Sequence, residues 1–446
     1  MLDALIKTAE PTVRWNIMAN IADGSLFAFG MSFVSIQTIL PVFVQSMGGS
    51  NVAVGLIPVV WVFGFNFPQV FIVRKVQELP WKKSLFMKTA LVQRIPWLLL
   101  SLLCFFVLEH VETGIRLALF FSFFVVAAVG GSLNLPVWFD MIAKLTPVRI
   151  RGRMFAARSI IGAVLGIGGG ALAAVILGSI VFPVNYGLLF LVAFLCMMVS
   201  YWFLGKLKEE TESPRMAEQR HYMETARVIL TEKSNFRNFL ISDALLMGSS
   251  MANAFFAVYA LKKFVLTDAF AGVFTIVMMA GMIVGSILFG FLADQYGHKQ
   301  NLLIHAGAMI IGSLTAILAP SLEVFLFVFV CSASSIAVNM ISRLPMVAEL
   351  CPEEQRPAYI ALANMLTSPF VLLGIVAGWM ADEIGYESVF FLAAGFATGA
   401  LYWLVFKVQE PRGKTQIQTQ VPPKASLSRR DGFATEKCHM NVKKQN

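Results

Sequence analysis

Long apolar runs alternate along this chain with short polar turns. Twelve runs can be marked, near residues 16–45, 52–74, 84–108, 116–145, 154–178, 184–205, 238–261, 269–292, 301–319, 322–348, 357–381 and 387–406. A helix needs roughly 20 residues to cross the hydrocarbon core of a bilayer, and most runs meet or exceed that length. The longer ones imply tilt or extension into the interface. The first begins after Arg14 with no small-residue cleavage site behind a short apolar core, so it reads as a retained span. Six runs precede the polar segment Lys206 to Arg237 and six follow it. The pattern predicts an all-α integral membrane protein with twelve transmembrane helices in two six-helix bundles. The expected divisions are a cytoplasmic N-terminal segment (1–15), a first bundle (16–205), a cytoplasmic linker (206–237), a second bundle (238–406) and a basic tail (407–446).

An internal repeat relates the two bundles. Ala143-Lys144-Leu-Thr-Pro147 through Arg151 recurs 205 residues later as Ala348-Glu349-Leu-Cys-Pro352 through Arg356. The same register pairs Asn134 with Asn339, Ala156 with Ala361 and Gly169 with Gly374. Each copy is a membrane hairpin around a charged turn, and duplicated helical bundles of this kind are the architecture of secondary transporters.

Composition supports the lipid reading: 57% of residues are hydrophobic, 14% are charged, and the mean hydropathy is +0.73. Charge sets the expected orientation. Of 35 Lys and Arg residues, 28 fall in the segments placed on one side, including the linker, the tail and the turns at 74–83 and 144–153. The positive-inside rule puts both termini in the cytoplasm. The net charge of +9 then reports topology and attraction to anionic lipids at the cytoplasmic face, not nucleic-acid binding. Cys104, Cys196 and Cys331 lie inside spans while Cys351 and Cys438 face the reducing side, so no disulfide framework is visible. The tail is expected to be disordered, and its Cys438-His439-Met440 run lacks a second ligand cluster, so no metal site is expected.

Gly290-Phe-Leu-Ala-Asp294-Gln-Tyr-Gly297-His-Lys299, between the eighth and ninth runs, resembles the signature loop of the major facilitator superfamily. Its physical sense is legible. Gly290 would let helices approach, Asp294 would cap or pair at a helix end, Gly297 would permit a tight turn, and Lys299 would anchor to the cytoplasmic surface. Glu349-Leu-Cys-Pro352-x-x-x-Arg356 likewise resembles the family's second-half turn. The first-half copies depart from the pattern. The loop Val73 to Lys83 keeps Glu78 and basic residues but lacks both glycines, and Lys144 stands where the acid is expected. The resemblance covers essentially the whole chain and names no substrate. The run Gly162-x-x-x-Gly166-Ile167-Gly168-Gly169-Gly170 looks like a degenerate form of the family's antiporter motif, with Ile167 replacing a proline, although helix packing alone asks for small residues at this spacing.

The resemblance implies that the first, fourth, seventh and tenth helices line a central cavity. Ionisable residues inside spans are costly unless paired or hydrated, which makes them site candidates. Asp23 and Asp243 occupy roughly matching places on the first helices of the two bundles. With Asn134, Asn339 and Arg343 they form the candidate set for substrate contact or proton coupling. A carboxylate in a partly dry cavity holds protons more tightly, which is the reason to prefer an acid for coupling. The candidate inner-gate or structural-lock set is Gly290, Asp294, Gly297, Lys299, Glu349, Arg356, Asp140, Arg151 and Arg158. For Arg343, locking stands beside substrate contact, and Arg94, off the lining helices, reads as structurally paired. No His-rich metal box, nucleophile elbow or phosphate-binding Gly-rich loop is present, so neither an enzyme nor a cofactor is expected.

These features point to a proton- or ion-coupled secondary carrier of a small organic solute. It would work as a monomer in a cytoplasmic (inner) membrane of bacterial type, with export slightly ahead of uptake because of the glycine run. The alternative is a carrier-like chain that no longer transports and serves as an assembly or sensing partner, motivated by the first-half departures at Glu78 and Lys144.

Overall fold

The computed structural model describes residues 10–69, 72, 79, 81–209, 233–352 and 355–411. Its described residues are helical or in turns, without strands. The helices are labelled in chain order. α1 runs Pro11–Ser32 and resumes as Ile39–Ser46; α2 is Asn51–Asn66, α3 Lys83–Phe106, α4 Thr113–Leu145, α5 Val148–Ser179 and α6 Val184–Gly205. α7 runs Ser234–Ser249 and continues past a 3₁₀ turn as Phe256–Lys263; α8 is Ala269–Tyr296 and α9 His298–Leu318. α10 joins Leu322–Val338 to Leu344–Glu349 through a π turn, α11 joins Arg356–Thr367 to Leu373–Glu383 through a 3₁₀ turn, and α12 is Tyr386–Phe406.

Ten helices among the described residues are long and apolar enough to cross a membrane. α1 and α2 fall short of the twelve-span expectation. Asn16, Asn20 and Asp23 dilute the first stretch of α1, which breaks at residues 33–38 rather than running unbroken over 16–45. The helix of α2 ends at Asn66, and most of the remainder of that run lies outside the described residues. Large apolar side chains remain outward-facing on the rods: Val164 and Val175 on α5, Val284, Ile287 and Phe291 on α8, and Phe391 and Phe406 on α12. In water such a belt would aggregate; in lipid it is solvated. The protein is a multi-pass membrane protein.

The prolines within the apolar runs do not all break the helices. Pro96 and Pro136 sit inside continuous helices, because neighbouring helices shield the backbone groups they free. The breaks fall instead in α1 and α7, the first helix of each half, and at two turns carrying or preceding a proline. Pro369 lies in the 3₁₀ turn of α11, and Pro345 comes just after the π turn Asn339–Arg343. A π turn inserts an extra residue and rotates the remainder of the helix by about a third of a turn. The repeat-equivalent stretch around Asn134 is ordinary α-helix, so the two halves differ here.

Two close seams join the halves. α5 meets α8 where an added Cβ on Gly170 would lie 3.0 Å from the Gly272 carbonyl oxygen, and one on Gly272 would collide with the Ala174 backbone nitrogen. α2 meets α11 where Gly55 and Gly374 place their backbones against each other and Gly378 abuts Asn51. Small residues are what allow helices to approach this closely without a water-driven hydrophobic force. The glycine run of α5 is therefore used in packing: Gly162 meets Ala28, Gly166 meets Met279 and Gly169 meets Ser32.

Candidate functional site

Two buried acid–arginine clusters mark the interior, one per half. In the first, Asp23 on α1 is 2% exposed. It accepts from Ser200 Oγ at 2.6 Å and from Arg158 Nη1 at 3.2 Å, with Arg94 Nη2 at 3.9 Å. Arg158, on α5, also donates to Asn20 Oδ1 at 2.9 Å and lies over the Trp138 ring at 4.7 Å. Gly24 is required beside it, because a Cβ there would occupy the Arg158 side chain's place. Arg94 on α3 spends its donors on the Met197 and Ala90 carbonyl oxygens and on Ser200 Oγ, which is the structural pairing expected of it. With Asp23 ionised, this cluster holds two cations against one anion.

In the second cluster, Arg343 Nε donates to both oxygens of Asp243 at 3.0 Å, and Nη2 lies 2.9 Å from Oδ2. Nη1 donates to Asn364 Oδ1 at 2.9 Å and Nη2 to Thr367 Oγ1 at 3.0 Å. The pair is neutral overall and well satisfied, the condition under which a buried ion pair is tolerated. By the 205-residue register Arg343 matches Trp138, and Arg158 matches Ala363. Each half thus keeps an acid on its first helix and an arginine against it, but the arginine comes from α5 in one half and α10 in the other.

A small cavity, with room for about one water, adjoins the second cluster. Asp243, Met247, Ser250, His305, Asn339 and Arg343 help line it. His305 on α9 is 3% exposed, and its Nε2 has no hydrogen-bond partner. A buried polar atom without a partner costs about 1–3 kcal/mol, so it calls for an explanation. Nothing in the sequence pattern marks His305; only the fold brings it to Asp243 and Arg343.

The other expected residues separate by end. Asn134 turns toward α3, accepting from Thr89 Oγ1 at 3.0 Å, whereas its repeat mate Asn339 is exposed on the cavity. Asp140 pairs with Lys82. Arg151 donates to the Thr146 carbonyl oxygen at 3.0 Å. Glu349 lies 3.6 Å from His298 Nε2. Gly297 takes φ +85° between α8 and α9, a left-handed conformation suited to glycine, as the tight turn requires. Gly290 does not serve close helix approach, since an added Cβ there meets nothing within 4 Å. Asp294 is exposed in the last turn of α8, Lys299 lies in the first turn of α9 and Arg356 opens α11; each is engaged in further polar interactions. Glu78 and Cys438-His439-Met440 lie outside the described residues.

A third group, absent from the sequence candidates, closes one end of the molecule between the halves. Thr38 and Thr275 share a buried hydrogen bond at 2.6 Å. Asp268 accepts from Ser46 Oγ at 2.8 Å and from Tyr186 Oη at 2.9 Å. Asp382 accepts from the Asn51 backbone N–H at 3.1 Å, from Asn51 Nδ2 at 2.7 Å and from the Val52 N–H at 3.3 Å, so an acid from the second half caps the first turn of α2. Tyr386 Oη donates to Asn51 Oδ1 at 2.5 Å. Single acids at helix ends carry no sequence signal of this pairing, because their partners sit 82 to 331 residues away in the chain.

Comparison with known proteins bears on the fold. Residues 239–435 match the family model of the Major Facilitator Superfamily. The galactose-proton symporter of Escherichia coli K12 is 27% identical over 128 residues, 29% of this chain and 25% of that relative, so the match spans a quarter of its length. Among solved structures, a substituted form of the nucleoside transporter NupG superposes with a TM-score of 0.71 at 13% identity, over 88% of this chain and 100% of that one. The D-xylose-proton symporter superposes with a TM-score of 0.67 at 15% identity, over 90% and 99%. At these identities the structural likeness speaks for the fold. The second half therefore matches the Major Facilitator Superfamily model, and the chain as a whole shares its fold with solved transporters.

Proposed function

We propose that this protein is a proton-coupled secondary carrier of a small organic solute, working by alternating access between two six-helix halves in an inner membrane, with both termini cytoplasmic. The observation that carries the coupling is the Asp243–Arg343 pair on the wall of a cavity that also holds His305, whose Nε2 has no partner. An acid can change its charge only if something answers the arginine it leaves behind. In this reading, a solute group that engages Arg343 frees Asp243 to take a proton, directly or through a water shared with His305. Solute and proton are then bound together, and neither crosses well alone. The symporter names of a sequence relative and a structural neighbour favour the same coupling.

The end closed by Thr38–Thr275, Asp268 and Asp382 acts as one gate and would face outward under the positive-inside orientation. It must part for the site to open there. The glycine run that favoured export has packing partners along α1 and α8, so direction is left to experiment. The non-transporting alternative loses part of its motive, because Lys144 is paired with Glu209 at 3.1 Å. Cells expressing wild type or Asp243→Asn at matched membrane levels should differ in one class of small molecule, inside against medium. That solute should move protons across vesicles containing wild type and not Asp243→Asn. No solute difference across a broad panel would overturn the carrier reading; flux insensitive to both pH and Asp243→Asn would overturn proton coupling.

A further inference from the structure

The first half lacks an acid at position 144, yet an acid from elsewhere in the chain lies at the start of its third helix. At the second-half turn, Glu349 reaches the start of α9, with His298 Nε2 3.6 Å from Oε1. α3 is the corresponding third helix of the first half. Its start is capped by Glu209, from the first residues of the linker. Glu209 accepts from the Lys82 N–H at 3.0 and 3.2 Å, from the Lys83 N–H at 2.9 Å and from Lys144 Nζ at 3.1 Å. Its side chain is 1% exposed. The first N–H groups of a helix have no partner within it, and the helix dipole favours negative charge there, so a carboxylate fits on both counts.

The residues just before Glu209 are fastened to the same end. The Asn16 side chain donates to the Lys208 carbonyl oxygen at 3.0 Å and accepts from the Lys208 N–H at 2.9 Å. Trp15 Nε1 donates to the Lys206 carbonyl oxygen at 2.9 Å, and Lys83 Nζ to that of Leu207 at 2.8 Å. Leu207 is itself buried, 2% exposed. Residues 206–209 therefore bind α1, α3 and α4 together.

We propose that Glu209 is the latch acid of the first half, doing there what Glu349 does in the second, with the basic Lys144 as its partner. The acid has moved from the end of α4 to the entry of the linker, and the basic residue at 144 is its complement rather than a sign of decay. The first-half latch is thus made by the same segment that leads to the second half. A rearrangement of this end must either carry residues 206–209 with α3 and α4 or break the cap on α3.

Amide hydrogen exchange on the purified full-length chain in lipid nanodiscs tests this without any substrate, so its outcome is separable from the carrier reading. Glu209→Gln should speed exchange of the Lys82 and Lys83 amides roughly tenfold to a hundredfold, as expected for loss of hydrogen bonds to a charged group. Lys144→Glu, added to Glu209→Gln, should restore protection to within a few-fold of wild type, because it returns an acid to the α4 end. Lys144→Glu alone should add no protection. Unchanged exchange in Glu209→Gln overturns the proposal. If Glu209→Gln loosens the second half as well, the double variant decides: recovery supports the latch, and failure to recover overturns it.

Discussion

Removing Asp243 while keeping Arg343 leaves a guanidinium buried without its counter-ion. The two side chains are 5% and 10% exposed, and three nitrogen–oxygen approaches at 2.9–3.0 Å join them. Breaking one partner of such a pair costs about 3–5 kcal/mol. Asn364 and Thr367 still hold Nη1 and Nη2, which places Asp243→Ala near the lower end, about 3 kcal/mol. At roughly 2–4 °C per kcal/mol, a thermal midpoint drop of about 6–12 °C is expected, read by intrinsic fluorescence at one fixed scan rate in nanodiscs. Arg343→Met alone should cost a similar amount by stranding Asp243. The double variant Asp243→Ala/Arg343→Met removes both charges and should recover much of the loss, with a coupling energy of about 2 kcal/mol or more. Additive losses in the double variant would show that the two side chains do not act as one energetic unit, and a wild-type midpoint in Asp243→Ala would refute the reasoning outright.

The same geometry sets three further outcomes. Asp23→Asn strands Arg94 and Arg158 together and should lower the thermal midpoint more than Asp243→Asn does, since two cations lose one shared anion; equal or smaller loss would contradict the charge count. Thr38→Cys with Thr275→Cys should form an oxidised cross-link at the closed end and stop solute flux until reductant is added, because the two hydroxyls are 2.6 Å apart; full flux with the link intact would show that this end need not open. Gly272→Leu should force α5 from α8, cutting that cross-link's yield several-fold through a collision with Ala174 and Gly170; an unchanged yield would show that the seam can move without opening the gate.

Hydropathy and the repeat made the membrane class and the helical hairpins legible, because lipid requires long apolar helices wherever the chain crosses. Helix ends such as Val184–Gly205 and Tyr386–Phe406 fell within a residue of the expected boundaries. Asp23, Asp243, Arg158 and Arg343 stood out for the same reason: a charge inside an apolar run is expensive and needs a partner. Which partner it finds was not legible. Arg158 and Arg343 come from non-equivalent helices, and the break in α1 and the π turn in α10 leave no mark in composition.

The sequence by itself determined that this chain lives in lipid, that it folds as helices and that its two halves descend from one pattern, since all three are set by residue type and local spacing. Only the tertiary structure decided that Lys144 is answered by Glu209, that His305 faces the Asp243–Arg343 cavity and that Asp382 caps a helix of the other half. Such pairings depend on the angle and rotation at which distant helices meet. Packing at a few glycines and one inserted residue sets that geometry, and no local pattern of hydrophobic and polar positions encodes it.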